Sequence, residues 1–236
     1  MTISPVEPAV GSAPTNAVAA PTGVPRGPPL PFSAYYAYSP SGGDPTSRRS
    51  RRICAAIKTG NRRWIANIAA ELRAYFAERP DWARSFGLRA VLVPVPASGP
   101  RDAAVGEVAE AIAAALVHAG LGATVRPMLV RRHAVRKSAT SPVGSRPSVA
   151  EHFASLAIAD RDPAGAVAEF VLIDDVVTRG RTMLAAACRL RAAYPQAEVR
   201  AFALMRTLGF VAGVARLVDP CLGEIRWRRG DACRIP

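Results

Sequence analysis

The hydrophobic pattern of the chain alternates between short apolar runs and segments with helical periodicity. Apolar runs predict strands at residues 89–96, 170–173 and 197–207. Apolar residues at helical spacing predict amphipathic helices from Asn61 to about Pro80, over residues 103–119 and over residues 181–193. Strands that alternate with helices indicate an α/β layered domain with a mainly parallel sheet. Ligands of such sheets bind beyond the carboxyl ends of the strands.

Shorter elements are predicted between these segments. Residues 53–58 resemble one helical turn, residues 124–130 a short strand, and residues 149–156 a brief helix or strand. A long polar loop spans residues 131–148. The first 32 residues are rich in Pro, Ala, Gly, Thr and Val and almost uncharged, which predicts a disordered or extended arm outside the core. We therefore expect one domain over residues 33–210 and an extension of unassigned role over residues 211–236.

Composition narrows the protein class. Half of the 236 residues are hydrophobic, so the chain can bury one substantial core. No basic segment precedes an unbroken apolar run, and no stretch approaches ~18 uncharged apolar residues, so we expect a cytoplasmic protein with no signal peptide and no membrane span. The four cysteines fit no zinc module and are expected to be free thiols.

The chain is strongly basic, with a formal net charge of +13, and all but two of its 31 basic residues are arginines. Arginine binds phosphate groups bidentately, and a basic chain also leaves nucleic-acid binding open. Basic clusters lie at residues 48–52, 131–137 and 226–229. Trp227 is the one aromatic residue expected to interleave with such a cluster.

One loop at the end of a predicted strand carries most of the candidate chemistry. The apolar run at residues 170–173 is followed by Asp174 and Asp175 and, after two valines, by a polar loop over residues 178–182. In a parallel sheet this loop opens the next helix, so its backbone N–H groups are available to an anion. Gly180 lets the backbone approach closely, and threonine and arginine side chains flank it. Because the acids can accept hydrogen bonds from sugar hydroxyls, the loop predicts a site for a ribose and a 5′-phosphate.

Two other classes of site could use an apolar strand that ends in acids. A P-loop nucleotidase needs a glycine-rich loop ending in Gly-Lys-Ser/Thr, and neither Lys58 nor Lys137 lies in one. The acidic pocket of a response-regulator-like domain is built partly from the first strand, whereas this strand comes late in the chain. Both observations favour the sugar-phosphate site.

The loop resembles the phosphoribosyl-pyrophosphate loop of type I phosphoribosyltransferases. The matching residues are Asp174, Asp175, Val176, Val177, Thr178, Gly180 and Thr182. Arg179 departs, since the family usually has Thr at that position, and a guanidinium would have to replace one hydroxyl contact. Some purine-salvage members carry a general-base Asp where this chain has Thr178, so the resemblance points away from their acid–base chemistry.

A second stretch is similar to the relatives of the bacterial competence protein ComF. The Val-Pro-Val-Pro spelling at residues 93–96 is typical of that subgroup, as is a Tyr-rich start leading to Lys58-Thr59-Gly60. Arg146 and Phe153 match a later Arg-rich stretch loosely. The chain lacks the N-terminal zinc ribbon of many of these relatives. The competing interpretation of residues 94–101 is an ordinary strand-to-helix turn.

The resemblance implies a type I phosphoribosyltransferase-like fold with a small hood and a reaction that releases pyrophosphate from phosphoribosyl pyrophosphate. Asp174 and Asp175 would hold the ribose hydroxyls, and Val177, Thr178, Arg179, Gly180, Arg181 and Thr182 would bind the 5′-phosphate. Pyrophosphate would contact Ala97, Ser98 and Gly99. Arg136 and Lys137 would neutralise the leaving group if the loop over residues 131–148 closes over the donor; the alternative is a solvated basic loop.

The resemblance also implies a Mg²⁺ ion held mainly by donor oxygens and water. It does not identify the acceptor, because the hood that selects it carries no motif. A homodimer and a nucleic-acid partner both stay open, and the alternative function is a non-catalytic ComF-like module acting in DNA uptake or nucleic-acid binding. Among the histidines, His152 is expected to be structural, and His133 lies in the basic loop where it could touch phosphate.

Overall fold

The structure is a computed structural model that describes residues 23–97, 108–135, 146–159, 168–209 and 213–236. Its helices are α1 (Pro45–Lys58), α2 (Arg62–Ala77), α3 (Pro80–Ala83), α4 (Val108–His118), α5 (Val149–Ser155) and α6 (Arg181–Ala193). Its strands are β1 (Leu30–Tyr38), β2 (Val91–Pro94), β3 (Thr124–Val125), β4 (Leu129–Arg131), β5 (Leu156–Ile158), β6 (Glu169–Val177), β7 (Glu198–Thr207), β8 (Val218–Arg228) and β9 (Asp231–Ile235).

Seven strands form one mostly parallel sheet in the order β3-β2-β6-β7-β1-β8-β9. The first five strands in this order run parallel to one another, while β8 and β9 are antiparallel additions beside β1. Strands β4 and β5 pair antiparallel in a separate two-stranded sheet. The predicted α/β architecture with a mainly parallel sheet flanked by helices is therefore confirmed.

Helices cover both faces of the large sheet and divide its core into two clusters. Side chains of β6 alternate between them: Phe170 and Leu172 pack with α5 and α6, whereas Val171 and Ile173 pack with α1, α2 and α4. This alternation follows from the period of two in a strand and explains why an apolar run with no polar position predicts burial on both faces.

Several predicted elements match the structure closely. Helix α6 has the predicted bounds, and α2 begins after Asn61, whose side chain accepts a hydrogen bond from the N–H of Trp64. Helix α1 is longer than the predicted turn at residues 53–58. Its first half carries no large apolar residue, and Ser47 and Ser50 occupy the buried positions there. Hydropathy alone therefore misses the start of this helix.

The predicted strand at residues 124–130 is wrong as a single element. Its first half, β3, extends the large sheet beside β2, and its second half, β4, pairs with β5. Pro127 lies between the two halves and has no N–H to donate to a strand partner. The segment at residues 149–156 contains both predicted alternatives in succession, since α5 ends where β5 begins.

The predicted arm extends too far. Residues 1–22 lie outside the described part of the chain, but β1 begins at Leu30, which is completely buried, and Phe32 belongs to the same core cluster. Strand β1 pairs with both β7 and β8, so it lies inside the sheet. The boundary of the domain is therefore Leu30 or earlier.

The C-terminal segment, for which the sequence predicted no role, is a β-hairpin of the large sheet. Strands β8 and β9 are joined by Arg229 and Gly230, which have positive φ angles of 49° and 81°, as a type I′ turn requires. Trp227 is partly buried and packs against the core, so it is not the exposed aromatic residue expected from the sequence. No helix within the described ranges is long and apolar enough to cross a membrane.

Candidate functional site

A cavity opens where β2 and β6 end at the carboxyl edge of the sheet. Strand β2 ends at Pro94, which is opposite Ile173, and the N–H of Val95 donates to the Ile173 carbonyl at 2.9 Å. Strand β6 continues beyond this point, so Asp174 and Asp175 lie past the last residue of β2. The backbone after β2 and the backbone after β6 therefore face one opening.

The cavity has a volume of about 420 Å³ and brings most of the predicted site residues together. The predicted residues that line it are Ala97, Asp174, Asp175, Val177, Thr178, Arg179, Gly180, Arg181 and Thr182. Ser98, Gly99, Arg136 and Lys137 lie outside the described residues. The cavity is also lined by residues with no predicted role, namely Tyr38, Cys54, Lys58, Arg131 and His152, and by Arg146.

The two acids form a tight pair at the floor of the opening. The N–H of Asp175 donates to Asp174 Oδ1 at 2.9 Å, and the N–H of Val176 donates to Asp175 Oδ1 at 2.8 Å. Burial and the adjacent charge of Asp175 raise the pKa of Asp174 well above its usual value. Asp174 therefore resists ionisation beside Asp175.

Lys58 supplies the positive charge beside this pair. Its Nζ lies 3.6 Å from Asp175 Oδ2, at the C-terminal end of α1. Burial opposes the ammonium form, but the combined charges of its neighbours, Asp175 first among them, outweigh burial and raise the pKa of Lys58. The sequence placed Lys58 in a Lys-Thr-Gly motif but assigned it no role, because 117 residues separate it from Asp175. Lys58 is thus a site residue that sequence reasoning missed.

The loop after β6 is shaped to present backbone N–H groups. Gly180 is the N-cap of α6 with φ of 84°, and its position offers no side chain to bond the N–H groups of the first turn. A Cβ built at this position would approach the Ile225 side chain to 2.5 Å. Glycine is therefore required here both by the backbone conformation and by the close approach of β8.

The arginines of the loop are bound to the C-terminal hairpin. Arg181 makes a bidentate contact with Asp231, at 2.6 Å from Nε to Oδ1 and 2.5 Å from Nη2 to Oδ2. Arg179 reaches the same carboxylate at 3.3 Å and is more than half exposed. Burial disfavours the charge of Asp231, but the hydrogen bonds from Arg181 and the Ala232 N–H, together with the charges of Arg181 and Arg179, outweigh burial and lower the pKa of this carboxyl. Arg181 therefore anchors the loop, whereas Arg179 is the arginine that faces solvent.

Arg234, in strand β9 of the hairpin, contacts the carboxyl ends of two neighbouring strands. Arg234 donates from Nη1 to the Val177 carbonyl at 3.1 Å and from Nη2 to the Thr207 carbonyl at 2.5 Å. These contacts hold the carboxyl ends of β6 and β7 beneath the hairpin. The segment for which the sequence predicted no role therefore supports the candidate site.

His152 lies beneath the start of α6 and is 1% exposed. Its Nε2 is 3.4 Å from Thr182 Oγ1. Burial and the nearby charges of Arg131 and Arg181 lower its pKa to about 4. The sequence placed His152 among structural histidines, and only its position on the cavity wall connects it with the site.

Metal ligands of the protein itself are scarce at the site. Across the described ranges, no group of three or more His, Cys, Asp or Glu residues could hold a metal ion. Two adjacent carboxylates with an ammonium group beside them suit hydrogen bonding better than direct cation coordination. The four cysteines are free thiols, and Cys54 is the one that lines the cavity.

Comparison with known proteins adds no family assignment. No protein-family model matches the chain, and a search of curated proteins finds no match. The functional argument therefore rests on the residues and geometry of the cavity.

Proposed function

We propose that this chain is a phosphoribosyltransferase-like protein that binds phosphoribosyl pyrophosphate in the cavity. It transfers the phosphoribosyl group to an acceptor with release of pyrophosphate. The observation that carries the proposal is the arrangement at the end of β6, where an acid pair and a helix start without a side-chain cap open on one cavity of about 420 Å³. A ribose 5-phosphate has hydroxyls and an anion at matching ends, and the cavity volume suits a small molecule of this size.

The architecture supports a type I phosphoribosyltransferase-like fold. Five parallel strands in the order β3-β2-β6-β7-β1 place the loops after β2 and β6 at the same edge, where ligands of α/β sheets bind. In this proposal the C-terminal hairpin serves as the hood, because Asp231 and Arg234 join it to the loop and strand ends at this edge.

Each part of the donor has a complementary group in the cavity. The 5′-phosphate accepts hydrogen bonds from the first N–H groups of α6 and from the Thr182 hydroxyl, and Arg179 supplies a solvent-facing positive charge. The ribose hydroxyls donate to Asp174 and Asp175. Lys58 lies 3.6 Å from Asp175 Oδ2 and places a positive charge beside this acceptor.

The proposed reaction breaks the bond between the anomeric carbon and the pyrophosphate oxygen and forms a bond from that carbon to the acceptor nucleophile. Positive charge that develops on the ribose is stabilised by the carboxylates of Asp174 and Asp175. Mg²⁺ would enter with the donor and neutralise charge on the leaving pyrophosphate. Ala97 lies opposite the acids at the entry of the loop after β2, where the departing pyrophosphate would contact the backbone.

Calorimetric titration with phosphoribosyl pyrophosphate and Mg²⁺ tests the proposal. A double variant, Asp174→Asn with Asp175→Asn, removes both carboxyl groups, and a hydrogen bond to a charged acceptor is worth about 1.5–3 kcal/mol. We expect the affinity to fall at least about tenfold while the circular dichroism spectrum is retained. Asp81→Asn, at an exposed position of α3, is the matched control and should bind normally. Unchanged affinity in the double variant would remove the assigned role of the acid pair.

A nucleic-acid-binding function is the second candidate, and the start of α2 favours it. Trp64 is 45% exposed and follows Arg62 and Arg63, both exposed. Arginines in the first turn of a helix oppose its dipole, so helix stability does not account for them. An exposed aromatic ring beside arginines is the combination that binds single strands by stacking and charge.

Salt-dependent binding of a single-stranded oligonucleotide separates the two candidates. If α2 binds nucleic acid, Trp64→Ala should weaken binding, Thr182→Val should leave it intact, and affinity should fall steeply with salt. Weak binding at physiological salt that does not respond to Trp64→Ala would contradict this second candidate.

A further inference from the structure

The side chain of His152 is an unused polar group in the wall of the cavity. Its ring is 1% exposed, and Nε2 lies 3.4 Å from the hydroxyl of Thr182 in the first turn of α6. Among the described residues, Nδ1 has no hydrogen-bond partner. A buried ring nitrogen without a partner costs free energy, so a histidine at this position is poorly explained by packing alone.

The position of this ring is fixed by contacts on both sides of α5. The helix begins with a capping box between Ser148 and Glu151. Ser155 Oγ donates to the His152 carbonyl at 2.8 Å, and Arg189 of α6 donates to the Phe153 carbonyl at 3.0 and 2.7 Å. His152 is therefore held against α6 before any ligand binds.

The charges that face the ring are mostly positive. Arg131 approaches from β4 and Arg181 from α6, and Glu151 on α5 is an acid whose charge acts on the ring. Arg146, Asp174 and Asp175 line the same cavity, and Asp231 of β9 is bonded to Arg181. Burial and the charges of Arg131 and Arg181 keep the ring neutral, with a pKa of about 4. An anion at the start of α6 would offset the repulsion from the arginines.

We propose that the start of α6 binds a phosphate-like dianion together with one proton, which His152 takes up. The inference rests on the proposed function, because it concerns the same anion site. His152 is a positioning residue: it acts on the ligand through the hydroxyl of Thr182.

The hydrogen-bond directions fix the tautomer of the ring, and the negative charge of the anion favours the added proton. A dianion only accepts hydrogen bonds, so the Thr182 hydroxyl donates to it. Thr182 Oγ1 then accepts from Nε2–H of His152, which must be a donor. The added proton comes from solvent and fills the second ring nitrogen, so that both nitrogens carry hydrogen and the charge of the ring faces the anion. No covalent bond other than this N–H bond changes.

The linkage between proton uptake and anion binding determines how the affinity for the anion changes with pH. A group whose pKa rises on binding takes up a proton, so the affinity must increase as the pH falls. If the bound anion restores the ring to an ordinary value near 6.5, the affinity at pH 5.5 will be about tenfold higher than at pH 7.5.

Sulfate is the appropriate probe, because its charge does not change over this pH range. We would titrate the full chain with sulfate at pH 5.5 and pH 7.5 by calorimetry, and follow the histidine ring signals by NMR with and without sulfate. We expect sulfate to bind about tenfold more tightly at pH 5.5 than at pH 7.5. We also expect sulfate to raise the pKa of one histidine ring. The NMR signal of that ring is assigned to His152 if it is absent from the spectrum of His152→Asn. Sulfate affinity of His152→Asn should change less with pH than that of the unmodified chain, because Asp174, whose pKa is raised, still titrates in the same cavity. His118→Asn, at an exposed position of α4, should behave as the unmodified chain does.

Equal sulfate affinity at the two pH values in the unmodified chain would overturn the inference, and this measurement needs no variant. If His152→Asn does not fold, His152→Gln gives a second test, and the NMR signal of the unmodified chain gives a third. Failure of the inference is distinguishable from failure of the proposed function. If sulfate binding is linked to proton uptake but phosphoribosyl pyrophosphate does not bind, the proposed function is wrong. The inference of proton-linked anion binding at the start of α6 is then retained.

Discussion

The burial of His152 predicts a specific loss of stability in acid. The folded chain keeps this ring neutral, with a pKa near 4, while an unfolded chain would bind a proton near 6.5. Between these values the unfolded state binds more protons, so the free energy of unfolding falls as the pH drops from 6.5 towards 4. The contribution is complete above pH 6.5 and is lost progressively below it.

The size of the effect follows from the same two values. Relative to pH 8, the single ring should lower the free energy of unfolding by about 2 kcal/mol at pH 5 and by about 3 kcal/mol at pH 4. Asp174 works in the opposite direction, because its raised pKa favours the protonated carboxyl in the folded state. The two effects overlap in pH, so the total curve of the unmodified chain does not isolate His152.

The assay is therefore a difference between two proteins. Urea unfolding of the unmodified chain and of His152→Asn at pH 8 and pH 5 gives the stability gap at each pH, in the absence of sulfate or phosphate. This gap should shrink by about 2 kcal/mol on going to pH 5, since only the unmodified chain must protonate a buried ring. His118→Asn tests whether the change is specific to the buried ring. A gap for His152→Asn that stays constant within about 0.5 kcal/mol would refute the electrostatic reasoning.

Two further predictions concern packing. Gly180→Ala and Gly230→Ala both place alanine at a positive φ angle, but only Gly180→Ala brings a Cβ against Ile225. Calorimetric melting should therefore show that Gly180→Ala lowers the free energy of unfolding by about 1–3 kcal/mol more than Gly230→Ala does. Equal losses would contradict the close approach of β8. Leu30→Ala should lower the free energy of unfolding by about 2–5 kcal/mol in a urea titration, because this residue is completely buried. Leu88→Ala, at a residue that is 82% exposed, should cost under about 0.5 kcal/mol, and a similarly small loss for Leu30→Ala would place β1 outside the core.

The elements that the sequence predicts well are those with regular apolar spacing. Helix α6 and strands β6 and β7 each carry enough apolar residues to define a period, and the alternation of strands and helices then predicts the parallel sheet. Strand β1 lacks such a signal. It follows a proline-rich segment, contains Pro31, and is apolar on both faces without alternation. Its Tyr-rich sequence does not by itself indicate a strand.

The hydropathy pattern does not predict the hairpin of β8 and β9, for a different reason. Charged residues interrupt both strands, and the turn at Arg229 and Gly230 lacks the Asn-Gly or Asp-Gly pair that usually marks a type I′ turn. Only the pairing of Leu30 to Ala34 with the middle of β8 makes these residues a strand. Tertiary contacts therefore decide the secondary structure here.

The residues of the candidate site also differ in how far the sequence predicts them. A local motif contains Asp174, Gly180 and Thr182, so they could be named from the sequence. Lys58 and His152 reach the cavity from other helices, and no spacing rule relates them to the motif. Arg181 was expected to face a phosphate, yet its partner Asp231 comes from a hairpin that the sequence did not predict.

The position of β1 in the sheet has a consequence for the order in which the chain can fold. Phe32 pairs with Ala201 on one side and with Gly223 on the other, so the partners of this early strand are synthesised 169 and 191 residues later. At a synthesis rate of about 5–20 residues per second, this wait lasts on the order of 10–30 seconds. During that time a strand rich in aromatic residues emerges from the ribosome without its neighbours. Nascent chains should therefore depend on chaperones until β7 and β8 have been made.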